Sequence, residues 1–298
     1  MKIGLISRCK DEYFIEEFVK YYIKEGVDFL YIIDDNSTDK TIYNNILNHS
    51  KVKIIFEKNI IDTNFANKLY KKIKDKYDWI IYVDADEFIT TNKNSNKTIR
   101  QELASTFKHI HCIKIPWVMM SCNSLEKSPK SILKTNTYRW NHDLKHENKL
   151  SVHTKFRCRY EQIEVKCIFK PLYFEDLWDH HPKSPVKNEK IKITDGIRNG
   201  PSELTPFISN LREKDIRIGH LLCYHYRIIS VDNCKNKLKT NKWYIDHGYN
   251  IQDLMSTDYA EIIDFTLANK VNKKVKRKKT QFITFYNWLT SFINTKNH

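Results

Sequence analysis

The chain has 298 residues, 41% of them hydrophobic and 13% aromatic, enough to build a sizeable core and to exclude a disordered chain. Its net charge of +15 would admit polyanionic partners, but the lysines are spread throughout and no helix-turn-helix, zinc-finger or RNA-binding aromatic pattern accompanies them, so nucleic acid is not an expected partner. No apolar run approaches the roughly 20 residues of a membrane-spanning helix, Met1–Arg8 lacks the pattern of a secretory leader, and the seven cysteines form no C-x-x-C pair, so a cytoplasmic protein with reduced thiols is expected.

The first 90 residues alternate strand and helix. Lys2–Ser7 predicts a short buried strand. Ile15, Phe18, Val19, Tyr22 and Ile23 recur at i, i+3, i+4, i+7 and i+8, one face of an amphipathic helix that Gly26 would end. Phe29–Ile33 predicts a second strand. It runs into the polar cluster Asp34-Asp35-Asn36-Ser37-Thr38-Asp39, a loop able to cap a helix over Lys40–Asn48. Val52–Phe56 predicts a third strand, Phe65, Leu69 and Ile73 a helical stripe, and Trp79–Val83 a fourth strand ending in Asp84-Ala85-Asp86-Glu87-Phe88. Such alternation implies an α/β fold whose mixed, mainly parallel sheet is flanked by helices. Ligands of such sheets bind at the carboxyl ends of the strands, the edge to which the clusters after Ile33 and Val83 both belong.

Further on, Ile110–Val118, Ile163–Phe169 and His220–Arg227 predict strands, and Ser230 caps a predicted helix running to about His247. The C-terminus changes character: a basic block over 273–279 precedes Phe282, Phe285, Tyr286, Leu289, Phe292 and Ile293 at helical spacing. Residues 273–293 therefore suit either an anionic membrane surface or a helix docked on the body of the protein.

Asp84 and Asp86 are separated by one residue, so on an extended backbone both carboxylates point the same way. Such a pair at the end of a buried strand suits a hard divalent cation, Mn²⁺ or Mg²⁺, beneath the diphosphate of a nucleotide. Taken alone, Asp-x-Asp is common. Its position after Trp79-Ile80-Ile81-Tyr82-Val83 gives it weight.

The segments Lys10-Asp11-Glu12, Gly26-Val27-Asp28, Asp34–Asp39 and Asp84–Phe88, followed by Lys166-Cys167-Ile168-Phe169-Lys170-Pro171 and Tyr224-His225-Tyr226-Arg227, resemble in order the motifs of GT-A-fold glycosyltransferases. The set is similar to glycosyltransferase family 2, and closer still to the subgroup related to family 92. It covers roughly residues 2–240 as islands. Asp11 stands where that pattern has Asn, and Cys167 where it has Ser. The resemblance implies a GT-A, Rossmann-like domain over 1–230, with a nucleotide-sugar half (1–110) and an acceptor half (111–230), then C-terminal helices over 231–298. It implies transfer of a sugar, with inversion, from a nucleotide-diphosphate donor (UDP favoured) to a glycan or lipid-linked acceptor in surface polysaccharide or glycoconjugate synthesis. Site roles follow from it too: Arg8 near the nucleotide, Asp35 or Asp34 on uracil or ribose, and Asp86 as principal metal ligand. Asp84 would hold ribose or a metal-bound water, and His225, or else His180, would complete the metal shell. Such an enzyme would work in the cytoplasm or on the inner face of a membrane.

An inverting enzyme needs a carboxylate to take the acceptor's proton. Phe174–Pro182 is the richest segment for it: Asp176 first, then Asp179 and Glu175. Trp178 could stack on a sugar face. Two other readings stay open. A nucleotidyltransferase would share the carboxylates and metal, although Arg8–Glu12 lacks the glycines of a phosphate loop. A non-catalytic protein binding polyanions or a membrane surface would use the charge but leaves the Val83–Asp84 transition unexplained.

Overall fold

The structure, a computed structural model, describes residues 1–57, 64–146, 162–187, 189–198 and 200–272. The basic segment 273–279 and the aromatic positions to 293 lie outside the described residues, as does Cys158.

Four parallel strands form one half of the sheet: β1 (Ile3–Cys9), β2 (Phe29–Asp35), β3 (Val52–Glu57) and β4 (Trp79–Asp84), in the order β3-β2-β1-β4. β1 and β4 are almost wholly buried, which is why they read as unbroken apolar runs rather than as alternation. The chain builds outward from β1 through β2 to β3, then crosses back to lay β4 on β1's other side. That reversal opens a crevice at the carboxyl ends of β1 and β4.

The strand Gln162–Phe169 joins β4 antiparallel. It pairs on its other side, again antiparallel, with β6 (Cys112–Ser121), buried along all ten residues. Between β4 and β6 the chain leaves this sheet path as β5 (Glu87–Thr91), antiparallel to Leu221–His225, which also lies parallel to β6. His225 therefore stands opposite Glu87 in register. The sheet is mixed and mainly parallel at its centre, as the alternation implies.

Helix α1 (Ile15–Lys24) follows β1, with Glu16 and Glu17 at its positive end. It stops at Gly26, whose φ of +97° only glycine adopts freely and where a Cβ would lie 2.6 Å from that of Arg100. Phe18 and Tyr22 pack against Phe88. The Tyr22 hydroxyl donates to the Glu87 carbonyl and accepts from the Ile89 amide, while Tyr21 donates to the Ile89 carbonyl. The backbone just beyond Asp86 is thus clamped from α1. Helix α2 (Asn64–Ile73) connects β3 to β4.

Two helices stop short of the sequence pattern. After Asp39, whose carboxylate caps Thr41, only a 3₁₀ turn over Lys40–Tyr43 forms; the β-branched, aromatic and Asn residues that follow are weak helix formers. The helix capped by Ser230 ends at Thr240, because Asn241 turns extended and caps a separate helix, Lys242–Asp246. The six described cysteines are buried free thiols. Among the described residues no helix is long and apolar enough to cross a membrane.

Candidate functional site

The crevice is built by register. Arg8 on β1 lies beside Ile33 of β2 and Asp84 of β4, and Cys9 beside Asp34. The loops after β1 and β2 are laced together over it. Asp11 takes a left-handed conformation (φ 55°), which Asn and Asp tolerate better than other side chains. Its Oδ1 accepts from the Thr38 amide at 2.6 Å and the Thr38 hydroxyl at 2.9 Å, and its own amide donates to the Ser37 hydroxyl at 2.9 Å. An aspartate therefore does here what the related Asn would do.

Asp84 is held by two cations. Arg8 Nε donates to Oδ1 at 3.0 Å and Lys166 Nζ to Oδ2 at 2.8 Å. Burial disfavours the charged carboxylate, but Arg8 and Lys166 outweigh it and hold Asp84 well below the usual carboxylate range. Lys166, only 1% exposed, also lies 3.4 Å from Glu87 Oε2, which accepts from the Asp84 amide at 2.7 Å. Burial pushes the Glu87 carboxyl well up despite Lys166. The far side of Arg8 pairs with Asp179 Oδ1 at 3.0 Å, and Lys166 donates to the Asp179 carbonyl at 3.3 Å. The segment after Leu177 is thereby tied to the strand ends.

Asp86 faces a second group. Lys237, from the helix Val231–Thr240, places Nζ 3.2 Å from Asp86 Oδ2 and 3.3 Å from Glu12 Oε1. His225 Nε2 lies 3.8 Å from Asp86 Oδ1, with its ring against Trp117 at 4.3 Å between centroids. Burial lowers the His225 pKa to about 4, only partly countered by Asp86, so its imidazole is neutral and able to ligate a metal. The Glu12 Oε2, Glu87 Oε1 and His225 Nδ1 atoms are buried without a hydrogen-bond partner in the structure. Buried polar atoms of this kind are ordinarily satisfied by water, an ion or a ligand.

Among the described residues no three His, Cys, Asp or Glu side chains gather as a metal cage. Asp86 and His225 nonetheless fit a divalent cation: their facing atoms are 3.8 Å apart, a gap that one ion spans at ligand distances of about 2.0–2.2 Å. Mg²⁺ and similar ions commonly take one or two protein ligands and complete their shell with phosphate oxygens and water.

The other sequence candidates fall in distinct surroundings. Asp34 is fully buried and accepts from the Tyr43 hydroxyl at 2.7 Å and the Ser37 amide at 3.2 Å, which makes it a brace for its own loop. Asp35 is half-buried and raised by burial, with Lys10 and Arg8 pulling it back; it is the member of the pair that faces the basic groups of the crevice. Asp176 is bound to α2 through Lys71 at 2.6 Å and Asn67 at 3.0 Å, while Asp179 joins Arg8. Glu175 pairs with Lys74. His180 is held by the Val165 carbonyl at 3.1 Å and lies near Trp117. Trp178 is flanked by His181 and by Lys183, whose Nζ lies 4.4 Å from its ring centroid.

Glu12, Glu87, Lys166 and Lys237 complete the site without having been assigned roles from the sequence. Glu12, Glu87 and Lys166 stand inside the motif segments quoted above, and two of the four carried a further signal. Lys166 interrupts an apolar strand, and Lys237 falls three residues after Cys234, on the buried stripe of its helix.

A sequence model described as Glycosyltransferase family 92 matches residues 10–263. No curated protein matches the chain significantly. Among solved structures, S. aureus TarS 1-349 in complex with UDP-GlcNAc aligns at 16% identity over 58% of this chain and 46% of that one, with a TM-score of 0.32. The chain thus spans under half the length of that relative. A second structure of S. aureus TarS 1-349 aligns at 13% identity over 98% and 79%, TM-score 0.34, and HddC from Yersinia pseudotuberculosis at 11% over 71% and 95%, TM-score 0.33.

Proposed function

This chain belongs to glycosyltransferase family 92, and from that premise we propose that it transfers a sugar, with inversion, from a nucleotide-diphosphate donor to a glycan or lipid-linked acceptor. The observation that carries the reading is the pairing of Asp84 with Arg8 and Lys166 beside the Asp86–His225 pair, all at the sheet's crossover crevice. UDP is the first nucleotide to try, because Asp35 stands where the family resemblance places a uracil or ribose contact. A Mn²⁺ or Mg²⁺ ion held by Asp86 and His225 would supply positive charge to the departing diphosphate.

The chain's own residues have separable tasks. Arg8 and Lys166 keep Asp84 ionised and fixed, so that it presents one orientation to the ribose or to a bound water. Glu87 anchors the turn through the Asp84 amide. Trp117 packs on the His225 ring and fixes its orientation toward Asp86. In the transfer, an acceptor hydroxyl oxygen bonds to the anomeric carbon as the bond from that carbon to the diphosphate oxygen breaks. The hydroxyl proton passes to a carboxylate on the opposite face, and the nucleoside diphosphate leaves. Of the two, Asp179 reaches the strand ends, through Arg8, and is the first candidate for this proton, whereas Asp176 is held on α2 by Lys71 and Asn67.

The test is release of nucleoside diphosphate from a panel of nucleotide sugars, followed with the wild type and with Asp179→Asn and Asp176→Asn. Turnover of one donor class is expected. Asp179→Asn should lose about a hundredfold or more in kcat, and Asp176→Asn less than about threefold, since its salt link is largely at the surface. The reverse ranking would move the base to Asp176. Release of pyrophosphate from a nucleoside triphosphate, without sugar-nucleotide turnover, would replace this reading with nucleotidyl transfer.

A further inference from the structure

We propose that Lys237 is the resident cation of Asp86, and that a divalent ion takes this carboxylate only when a nucleoside diphosphate draws the lysine away. The proposal rests on the donor-site reading of the crevice. The ammonium of Lys237 has three donors and three acceptors around it: Asp86 Oδ2 at 3.2 Å, Glu12 Oε1 at 3.3 Å and the Arg227 carbonyl at 3.3 Å. Its side chain is 9% exposed, and the helix that carries it is fixed at its start by the Ser230 cap. This is a built position rather than a loose surface contact.

A metal ligated by Asp86 would be within a few ångströms of that ammonium. Two cations so close repel strongly in a partly buried site, so lysine and metal exclude one another there. Lysine carries its charge on a flexible four-carbon stem and can swing aside without moving the helix. A nucleoside diphosphate offers it new oxygens to bind while completing the metal's shell. Metal and nucleotide then bind with positive coupling, each raising the other's affinity. The chain avoids holding a bare divalent ion when no donor is present, and Asp86 stays neutralised in the interval.

Mn²⁺ binding to the full chain without nucleotide, followed by electron paramagnetic resonance, tests this. Lys237→Met should bind Mn²⁺ about tenfold or more tightly than the wild type, as expected when a competing charge is removed. Because that substitution leaves Glu12 uncompensated and can destabilise the fold, Glu12→Gln/Lys237→Met is measured beside it, with the same gain expected. Adding Asp86→Asn to the double variant should erase the gain. UDP should raise Mn²⁺ affinity more in the wild type than in either lysine variant. Unchanged or weaker Mn²⁺ binding in both lysine variants, or an equal effect of UDP in all, overturns the proposal. Should UDP bind to none of the proteins, the donor reading falls, while the nucleotide-free comparison still decides the place of Lys237.

Discussion

Asp86→Ala is expected to lower donor turnover by about a hundred- to a thousandfold while leaving the fold intact. The carboxylate faces both His225 and Lys237, at 3.8 and 3.2 Å. Removing it takes away the central ligand for a cation and also releases the ammonium beside the diphosphate position. The backbone around it does not depend on that side chain. The Asp86 carbonyl accepts from the Tyr226 amide at 2.9 Å, and Phe88 and Ile89 are held by α1. Kinetics of nucleoside diphosphate release, read beside a thermal melt, separate the two effects. An unchanged rate would remove Asp86 from the chemistry; a collapsed melt would make its role structural.

Lys166→Met should act in the opposite manner, through the fold. Its ammonium is shared between Asp84 at 2.8 Å and Glu87 at 3.4 Å, and its side chain is 1% exposed. Methionine fills nearly the same volume but leaves Asp84 with Arg8 alone and the Glu87 carboxyl without its cation. Breaking a buried charge pair by removing one partner destabilises by about 3–5 kcal/mol, a large part of a typical domain's stability of about 5–15 kcal/mol. Urea unfolding measures this directly. Lys166→Met/Glu87→Gln should recover part of the loss, because the group beside Asp84 then cannot ionise. A single variant as stable as the wild type would mean that Glu87 is protonated and Asp84 is satisfied by Arg8 alone.

Strands β1, β2 and β4 were legible because strands buried on both faces write themselves as apolar runs. The Asp84–Asp86 edge was legible because those runs stop abruptly at carboxylates. Family motifs pointed to the same strand ends and to the segment containing His225. What stayed hidden was the pairing. Arg8 and Asp84 are 76 residues apart, Lys166 and Asp84 82, and Lys237 and Asp86 151. The parallel pairing of β1 with β4 sets Arg8 beside Asp84, the antiparallel insertion of Gln162–Phe169 beside β4 brings in Lys166, and the return of the chain past Tyr226 brings in Lys237. Asp34 and Asp35 are adjacent and chemically alike, so sequence alone leaves both open; the structure separates them by turning one onto Tyr43 and the other toward Lys10 and Arg8. The helix over Lys40–Asn48 was overextended because a good cap at Asp39 says where a helix starts, not whether the residues after it sustain one.

The most direct measurement is calorimetric titration of UDP, GDP, CDP and ADP into the full chain, with and without Mn²⁺. The reading of this crevice as a donor site predicts that one diphosphate binds well ahead of the others, that Mn²⁺ strengthens it, and that Asp86→Ala removes the metal's contribution. Binding of none of the four, with metal or without it, would contradict that reading.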